Sequence, residues 1–262
     1  MLRFSVNISL LFKEVPLLER ISAARLAGFE AVEIQFPYAE TIDNLLRAQQ
    51  ENQLPIVLIN VPAGDLMSGG RGLACVLGKE AEFRQALAEC KKYASQLQIP
   101  VVNVLAGRAA ITDEEIAWRV LENNLRIAAT ELGDEGITVV VEAINNIDMA
   151  NFLLSTDEQM LELIDRLSFP NLAMQYDIYH MTMMGSNPVS FLKAHMARVG
   201  HIQFADVPGR GQPGTGGIDF QSIFQLISES QYSGWVGAEY NPVDSKESHL
   251  SWFKHYSTMV GN

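Results

Sequence analysis

Eight short β-rich stretches alternate with longer stretches of helical periodicity, and this alternation most limits what the chain can fold into. The β-rich stretches are residues 2–10, 31–36, 54–61, 100–106, 137–143, 172–177, 199–205 and 234–240. A βα unit repeated eight times at intervals of roughly thirty residues predicts a parallel sheet that closes on itself. The length of 262 residues suits one such domain. The sequence therefore predicts a (β/α)8 TIM barrel, with residues 1–262 forming a single domain.

Two of the intervening stretches show the i, i+3, i+4, i+7 spacing of amphipathic helices especially clearly. The first carries Phe83, Leu87, Cys90, Ala94 and Leu97, and the second carries Ile116, Val120, Leu121, Leu125 and Ala128. We expect these residues to face the sheet.

The charge balance excludes several classes of partner. Nineteen basic residues against 31 acidic ones give a net charge of −12, which repels nucleic acid and anionic membrane surfaces. No apolar run approaches the roughly 18 residues of a membrane span. The two cysteines, Cys75 and Cys90, have no partners at zinc-finger spacing and predict buried thiols in a reducing cytoplasm. A homo-oligomer is possible, because barrels of this size often associate.

Four consecutive predicted strands each end in a residue with a side-chain oxygen: Glu142, Asp177, Gln203 and Glu239. The carboxyl ends of barrel strands meet at one mouth, so these side chains should converge. Three crowded carboxylates repel one another unless a cation lies among them, and Mg²⁺ or Mn²⁺ prefers oxygen ligands. The pattern predicts a divalent metal site. Each acid could instead cap the following helix or pair with an arginine.

The glycine-rich stretch 209–217 contains Gly209, Gly211 and Gly214 at the G-x-G-x-x-G spacing of dinucleotide-binding folds. In those folds the third glycine lies within the helix that receives the pyrophosphate. Here the following helix is expected to begin only at about Asp219, so we reject that interpretation. We expect a mobile loop that carries Asp206 and Arg210 over the barrel mouth.

The chain resembles hydroxypyruvate isomerase and its relatives among the xylose-isomerase-like barrels. The resemblance covers nearly the whole chain, from "RFSVNIS" through "PAGD", "RGLAC", "YDIYH" and "PGTGGIDF" to "GWVGAEYNP". It implies that Glu142 and Glu239 are the proton donor and acceptor. By analogy with related metal-dependent sugar epimerases, Glu142, Asp177, Gln203 and Glu239 would bind the metal, although Gln203 stands where those epimerases have His.

Two positions depart from the family motif that follows strand five. The common "EPIN" reads "EAIN" with Ala143 for Pro, and Asn146 replaces a frequent His. We expect both departures to affect the wall around the substrate.

These residues suit the isomerisation of a short hydroxy-oxo acid through an enediolate, most simply of hydroxypyruvate to 2-hydroxy-3-oxopropanoate. Which glutamate takes the proton is left open. His180, three residues after Asp177, could donate a hydrogen bond to a substrate oxygen or could anchor its own loop. The substrate carboxylate needs a cation, for which Arg108 and Arg71 are the first candidates and Arg210 the third.

Several alternatives remain. Within the enzyme class these are a 2-oxo-tetronate isomerase and a metal-dependent sugar epimerase. A barrel that binds a sugar acid without turnover is another, since a fold does not prove a function. A DNA-repair endonuclease with a zinc cluster is disfavoured by the net charge and by the presence of only five histidines.

Overall fold

Parallel strands close into a barrel in the order β1 to β8, as the sequence predicts. The computed structural model describes residues 2–243 and 249–257. Residue 1 and residues 244–248 and 258–262 of the predicted domain lie outside the described residues. The strands are β1 (Phe4–Asn7), β2 (Ala31–Ile34), β3 (Ile56–Asn60), β4 (Val101–Val104), β5 (Thr138–Glu142), β6 (Leu172–Asp177), β7 (Val199–Phe204) and β8 (Val236–Ala238).

Helices follow the strands around the outside of the barrel, and the last of them comes after β8. They are α1 (Leu17–Leu26), α2 (Ile42–Asn52), α3 (Glu80–Leu97), α4 (Glu114–Gly133), α5 (Asp157–Leu167), α6 (Ile178–Met183), α7 (Pro188–His195), α8 (Phe220–Glu229) and α9 (Ser251–Ser257). None of the helices within the described ranges has the length and apolarity needed to cross a membrane.

The helical periodicity identified the buried faces with one error. All five apolar residues singled out in α3 are buried. In α4 the four later positions are buried, but Ile116 is 37% exposed and Ala117 is buried in its place. The inward face of α4 therefore begins one residue later than predicted.

Most strands are shorter than their apolar sequences. β1 ends at Asn7 because Asn7 starts a turn: its Oδ1 accepts the N–H of Ser9 and its carbonyl accepts the N–H of Leu11. By contrast, β6 has the predicted bounds of 172–177. The shortening leaves the residues after the other strands free to form the barrel mouth.

The strand register brings the polar strand ends together. Glu142 on β5 pairs with Gln175 on β6, and Asp177 on β6 pairs with Gln203 on β7. On β8, Gly237 leaves interior space that the carboxylate of Glu33 from β2 fills, since a Cβ at Gly237 would overlap it. The barrel interior is thus packed with polar side chains beneath the mouth.

Candidate active site

Three acidic side chains converge where β5, β6 and β8 end. Glu142 and Asp177 are the last residues of their strands, and Glu239 follows β8 directly. All three are at least 96% buried. Ligand atoms of Glu142, Asp177 and His180 lie within 4.8 Å of one another. The carboxylates that the sequence placed at one mouth are therefore neighbours.

Glu142 is held by amide groups on one oxygen. Its Oε2 accepts N–H groups from Asn103 (3.0 Å) and Gln175 (2.9 Å). Its Oε1 lies 3.8 Å from Nε2 of His180. Burial, followed by the charges of Glu239 and Asp177, raises the pKa of Glu142 well above its usual range. This carboxylate thus has the environment of a proton acceptor or donor.

Glu239 is held in the same manner from the other side. Its Oε1 accepts N–H groups from Asn7 (2.9 Å) and Gln35 (2.6 Å), and its Oε2 accepts one from Arg210 (2.9 Å). Burial raises the pKa of Glu239, although the charge of Arg210 opposes the rise. Both glutamates consequently take up a proton more readily than a solvated carboxylate does.

The two carboxylate oxygens of Asp177 have different roles: one caps a helix and the other lies in the acid cluster. Its Oδ1 caps α6 by accepting the backbone N–H of Tyr179 at 2.8 Å. Its Oδ2 lies 3.6 Å from Nε2 of His180 and 3.5 Å from a guanidinium nitrogen of Arg210. The capping role considered as an alternative is real and coexists with a place in the acid cluster.

His180 lies on α6, not on a loop as the sequence suggested, and Asn145 determines which of its ring nitrogens carries the proton. Oδ1 of Asn145 accepts the backbone N–H groups of Ile147 and Asp148, so its amide nitrogen faces Nδ1 of His180 at 2.7 Å. That hydrogen-bond network assigns the acceptor role to Nδ1 and the proton to Nε2. Burial lowers the pKa of His180 to about 4. The ring is therefore neutral at pH 7 and directs an N–H toward Glu142 and Asp177.

Gln203 lies beneath the acid cluster with both ends of its amide engaged. Its Oε1 accepts from Gln175 at 2.6 Å, and its Nε2 donates to Glu33 at 2.7 Å. The oxygen retains a second lone pair. Gln203 also lines the central cavity.

Arg210 is the arginine that meets the acid cluster. Its guanidinium contacts Glu239 and Asp177 and lies 5.4 Å from the ring centre of Tyr179. The surrounding glycine-rich loop is folded about Asp206, which is fully buried and accepts four backbone N–H groups, those of Val207, Gly214, Gly216 and Ile218. Asp206 thus supports the loop from within and does not project over the mouth. Helix α8 begins at Phe220 with Asp219 as its N-cap, and Gly214 lies outside it.

Arg71 and Arg108 lie elsewhere on the face of the barrel that carries the acid cluster. Arg108 donates to the carbonyl of Gly70, and Arg71 donates to the carbonyl of Arg108. Arg71 also forms an ion pair with Asp113, in which both side chains are 46% exposed. Neither arginine is among the described residues that line the central cavity. The two connect the loops after β3 and β4 to each other.

The central cavity has a polar floor and an apolar wall. The floor includes both glutamates, Asn7, Gln35, Asn60, Gln175 and Gln203. The wall is formed by Phe36, Met67, Leu105, Ile144 and Met149. Ala143 and Asn146, expected in the wall, are not among these lining residues. Asn146 instead lines a neighbouring surface groove beside Ala109 and Gln159.

The amides and the acid that support the acid cluster are not among the site residues predicted from the sequence. Asn103 and Glu33 each stand inside an otherwise apolar strand sequence, and Asn7 ends a strand that also contains Ser5. A polar residue in a strand that is buried on both faces is itself a signal, because burial without a partner is costly. Gln35 and Asn145 follow strands and gave no such signal.

The donor set suits a divalent cation bound to oxygen. Three buried carboxylates share the cluster with Arg210, which is the arginine that forms ion pairs there in the part of the chain that the structure describes. Negative charge is therefore in excess. Because Asn145 keeps the proton of His180 on Nε2, that nitrogen has no lone pair for a metal. The carboxylate oxygens are the stronger ligand candidates.

Comparison with known proteins agrees with this architecture. Residues 21–256 match the family model described as "Xylose isomerase-like TIM barrel". The hydroxypyruvate isomerase of Escherichia coli is 42% identical over 98% of this chain and 100% of its own length. The 2-oxo-tetronate isomerase of Cupriavidus necator is 33% identical, over 97% of this chain and 98% of its own. The chain belongs to the hydroxypyruvate isomerase family of xylose isomerase-like TIM barrels.

Solved structures of other proteins show the same fold. A protein from Brucella melitensis described as "AP endonuclease, family 2" superposes with a TM-score of 0.94 at 36% identity and covers 98% of this chain and 99% of its own. A 3-keto-D-glucoside 4-epimerase from E. coli superposes with a TM-score of 0.83 at 18% identity, over 98% of this chain and 100% of its own, which is evidence for the fold alone. The predicted fold and family are thus confirmed.

Proposed function

We propose that the protein interconverts hydroxypyruvate and 2-hydroxy-3-oxopropanoate, as an isomerase of small hydroxy-oxo acids. The observation that carries this proposal is the pair Glu142 and Glu239. Each is buried, each accepts from two side-chain amides on one of its oxygens, and both line one cavity together with Arg210. The family membership supports the reaction class.

The reaction moves one proton between neighbouring carbons and one between their oxygens. One glutamate removes a proton from C3, the carbon that carries the hydroxyl group, to give an enediolate. The other delivers a proton to C2, and the former hydroxyl proton passes to the C2 oxygen. The raised pKa of both carboxylates favours this exchange, because a base whose pKa lies nearer the working pH transfers protons more effectively.

The remaining polar groups bind and orient the substrate. Arg210 holds the substrate carboxylate, because among the residues that the structure describes it is the arginine that lines the cavity. The Nε2–H of His180 donates to a substrate oxygen. A divalent cation such as Mg²⁺ or Mn²⁺, held by Glu142, Asp177 and Glu239 with Gln203 as a further oxygen donor, would stabilise the negative charge that develops on the substrate oxygens.

The two free cysteines, both buried, are consistent with a reducing compartment, and we propose the cytoplasm.

An isomerase of a four-carbon 2-oxo acid is the second candidate, supported by the identity with the 2-oxo-tetronate isomerases. NMR-monitored turnover of hydroxypyruvate and of 2-oxo-tetronate, with Mg²⁺ or Mn²⁺ present, tests both. The proposal predicts the higher kcat/KM for hydroxypyruvate. A higher kcat/KM for the four-carbon acid would favour the second candidate, and turnover of neither acid would overturn both.

A further inference from the structure

Glu33 lies in the barrel interior beneath the proposed catalytic glutamates, and the fold makes room for it. The side chain comes from β2 and is fully buried. It occupies the space left by Gly237 on β8, where a Cβ would overlap the carboxylate. Burying a carboxylate is costly unless it has hydrogen-bond partners or an ion-pair partner. We therefore expect the buried Glu33, in a space that a glycine keeps open, to have a specific role in the interior.

Three donors surround this carboxylate, and they divide between its two oxygens. Oε1 receives the hydroxyl of Ser5 at 2.6 Å and lies 2.8 Å from Nε2 of His201. Oε2 receives only the amide nitrogen of Gln203, at 2.7 Å, among the contacts of the described residues. The Oε2 side therefore leads toward the active site, and the Oε1 side fixes the carboxylate in place.

A carboxylate oxygen that accepts from an amide sets the direction of that amide. Because Nε2 of Gln203 must face Glu33, its Oε1 faces upward to Gln175. Gln175 must then present its own Nε2, whose two hydrogens reach Oε1 of Gln203 at 2.6 Å and Oε2 of Glu142 at 2.9 Å. The first two bonds donate toward Glu33 and the last donates toward Glu142, with Nε2 of Gln175 as the donor to both of its neighbours.

The reverse orientation of Gln175 would place its oxygen against two other oxygens, those of Gln203 and Glu142. The observed orientation has a cost as well: Oε1 of Gln175 is buried and has no hydrogen-bond partner in the described part of the chain. An unpaired buried carbonyl is unfavourable, so the two acceptors that flank Gln175, Oε1 of Gln203 below and Oε2 of Glu142 above, impose this orientation together.

We propose that Glu33 is a positioning residue that acts through Gln203 and Gln175 to keep an amide N–H directed at Glu142. This inference rests on the proposed role of Glu142 in proton transfer. Glu33 does not contact the substrate. Its function is to hold Oε2 of Glu142 by a donor, so that Oε1 faces the reacting carbon.

The first test replaces Glu33 with Gln, whose amide can present either an oxygen or a nitrogen to Gln203. Both orientations of the side-chain amides of Gln203 and Gln175 then become accessible. We expect kcat to fall by about tenfold to a hundredfold, the scale of a lost hydrogen bond to a charged group, with KM little changed. Ser5→Ala is the matched control, because it removes one of the two donors to Oε1 of Glu33, leaves His201 to hold that oxygen, and leaves the bond of Oε2 intact. Its kcat should stay within about twofold of the parent.

The second test needs no substrate and so separates this proposal from the proposed function. In protein labelled with ¹⁵N at glutamine side chains, the resonance of Gln175, identified by its loss in Gln175→Glu, should show slow solvent exchange. Glu33→Gln should accelerate that exchange, and Ser5→Ala should leave it slow. Unchanged exchange in Glu33→Gln would overturn the proposal whatever the activity shows.

A rescue variant completes the design. Glu33→Gln combined with Gln203→Glu moves the carboxylate one step up the chain, where it again accepts from Gln175. We expect this double variant to regain slow exchange at Gln175 and a several-fold higher kcat than Glu33→Gln alone. Fast exchange at Gln175 in the double variant would overturn the proposed action of Glu33 through Gln203. The double variant keeps the total charge, so it also serves if Glu33→Gln folds poorly.

Discussion

Glu142 and Glu239 are anchored by the same arrangement, in which two side-chain amides donate to a single carboxylate oxygen. Asn103 and Gln175 hold Oε2 of Glu142, and Asn7 and Gln35 hold Oε1 of Glu239. The second oxygens differ: that of Glu239 accepts from Arg210, whereas that of Glu142 lies 3.8 Å from His180. The two carboxylates are thus anchored alike and lie in unequal charge environments.

Replacing either glutamate with Gln tests this pair. The amide keeps the shape but removes the proton acceptor and a negative charge. We expect kcat to fall by on the order of 10²-fold or more in Glu142→Gln and in Glu239→Gln, measured by steady-state kinetics. Glu82→Gln, at an exposed ion pair with Lys79, is the control. Near-native turnover in either catalytic variant would remove that residue from the mechanism. Binding of the oxo acid with no turnover in the parent protein would favour a non-catalytic barrel.

Arg210→Lys tests the carboxylate clamp. Lysine cannot supply the two-pronged donor set of a guanidinium, so we expect KM for hydroxypyruvate to rise by about tenfold or more. Inhibition by neutral dihydroxyacetone should change much less. Arg71→Lys and Arg108→Lys are the comparison variants, and a larger rise in KM in either one would move the clamp to that residue.

Turnover in D₂O distinguishes proton transfer through a carboxylate from a direct hydride shift. A proton that rests on a glutamate can exchange with solvent, so we expect deuterium at C2 of 2-hydroxy-3-oxopropanoate, observed by NMR. Chelation should abolish the incorporation, and Mg²⁺ or Mn²⁺ should restore it. Incorporation should be partial where the buried site returns the same proton before water replaces it. Product free of deuterium at every pH would favour a hydride shift, and full activity after exhaustive chelation would exclude the metal.

The raised pKa values of Glu142 and Glu239 predict the pH dependence of stability in metal-free protein. A folded-state pKa above the unfolded value of about 4.3 stabilises the fold at low pH, and this contribution is lost as the pH rises through the folded-state pKa. His180, with its pKa lowered to about 4, contributes in the opposite direction only below about pH 6.5.

Between pH 6.5 and 8 the glutamates should therefore dominate. The free energy of unfolding, measured with urea in the presence of a chelator, should fall with pH by at most about 1.4 kcal/mol per pH unit for each proton involved. Glu142→Gln should flatten this slope. A stability that stays constant or rises over the same interval in the parent protein would contradict the proposed environment of the two carboxylates.

The two thiols should be unreactive in the folded protein. Burial raises the pKa of Cys75 to about 11 and that of Cys90 to about 12, so little thiolate exists at pH 8. We expect iodoacetamide to modify neither residue within hours at pH 8 and to modify both in urea, as measured by mass spectrometry. Rapid modification of the native protein would show that the surrounding core opens.

The sequence predicted the fold well because a repeated βα unit leaves few topologies, and β6 matched its predicted bounds. It also predicted the meeting of Glu142, Asp177 and Glu239, since strand ends share one mouth. It could not place Arg210 ahead of Arg71 and Arg108. All three follow strands, and the choice depends on a loop path fixed by the backbone contacts of Asp206.

The amide supports illustrate the same limit. Hydrogen-bond partners such as Asn7 and Glu239 are 232 positions apart, and no local pattern links them. The exposed Ile116 shows that helical spacing fixes a face only to within one residue.

The divided role of Asp177 narrows the sequence changes that this position can accept. Asn would keep the cap on α6 but lose a negative charge in the acid cluster, whereas Glu would keep the charge and extend past the first turn of the helix. Any substitution that suits one partner is penalised by the other. Helix α6 and the acid cluster at its N-terminus are therefore expected to change together as related sequences diverge. The first turn of this helix is a poor place for substitutions that alter substrate specificity, and the apolar wall of the cavity is a better one.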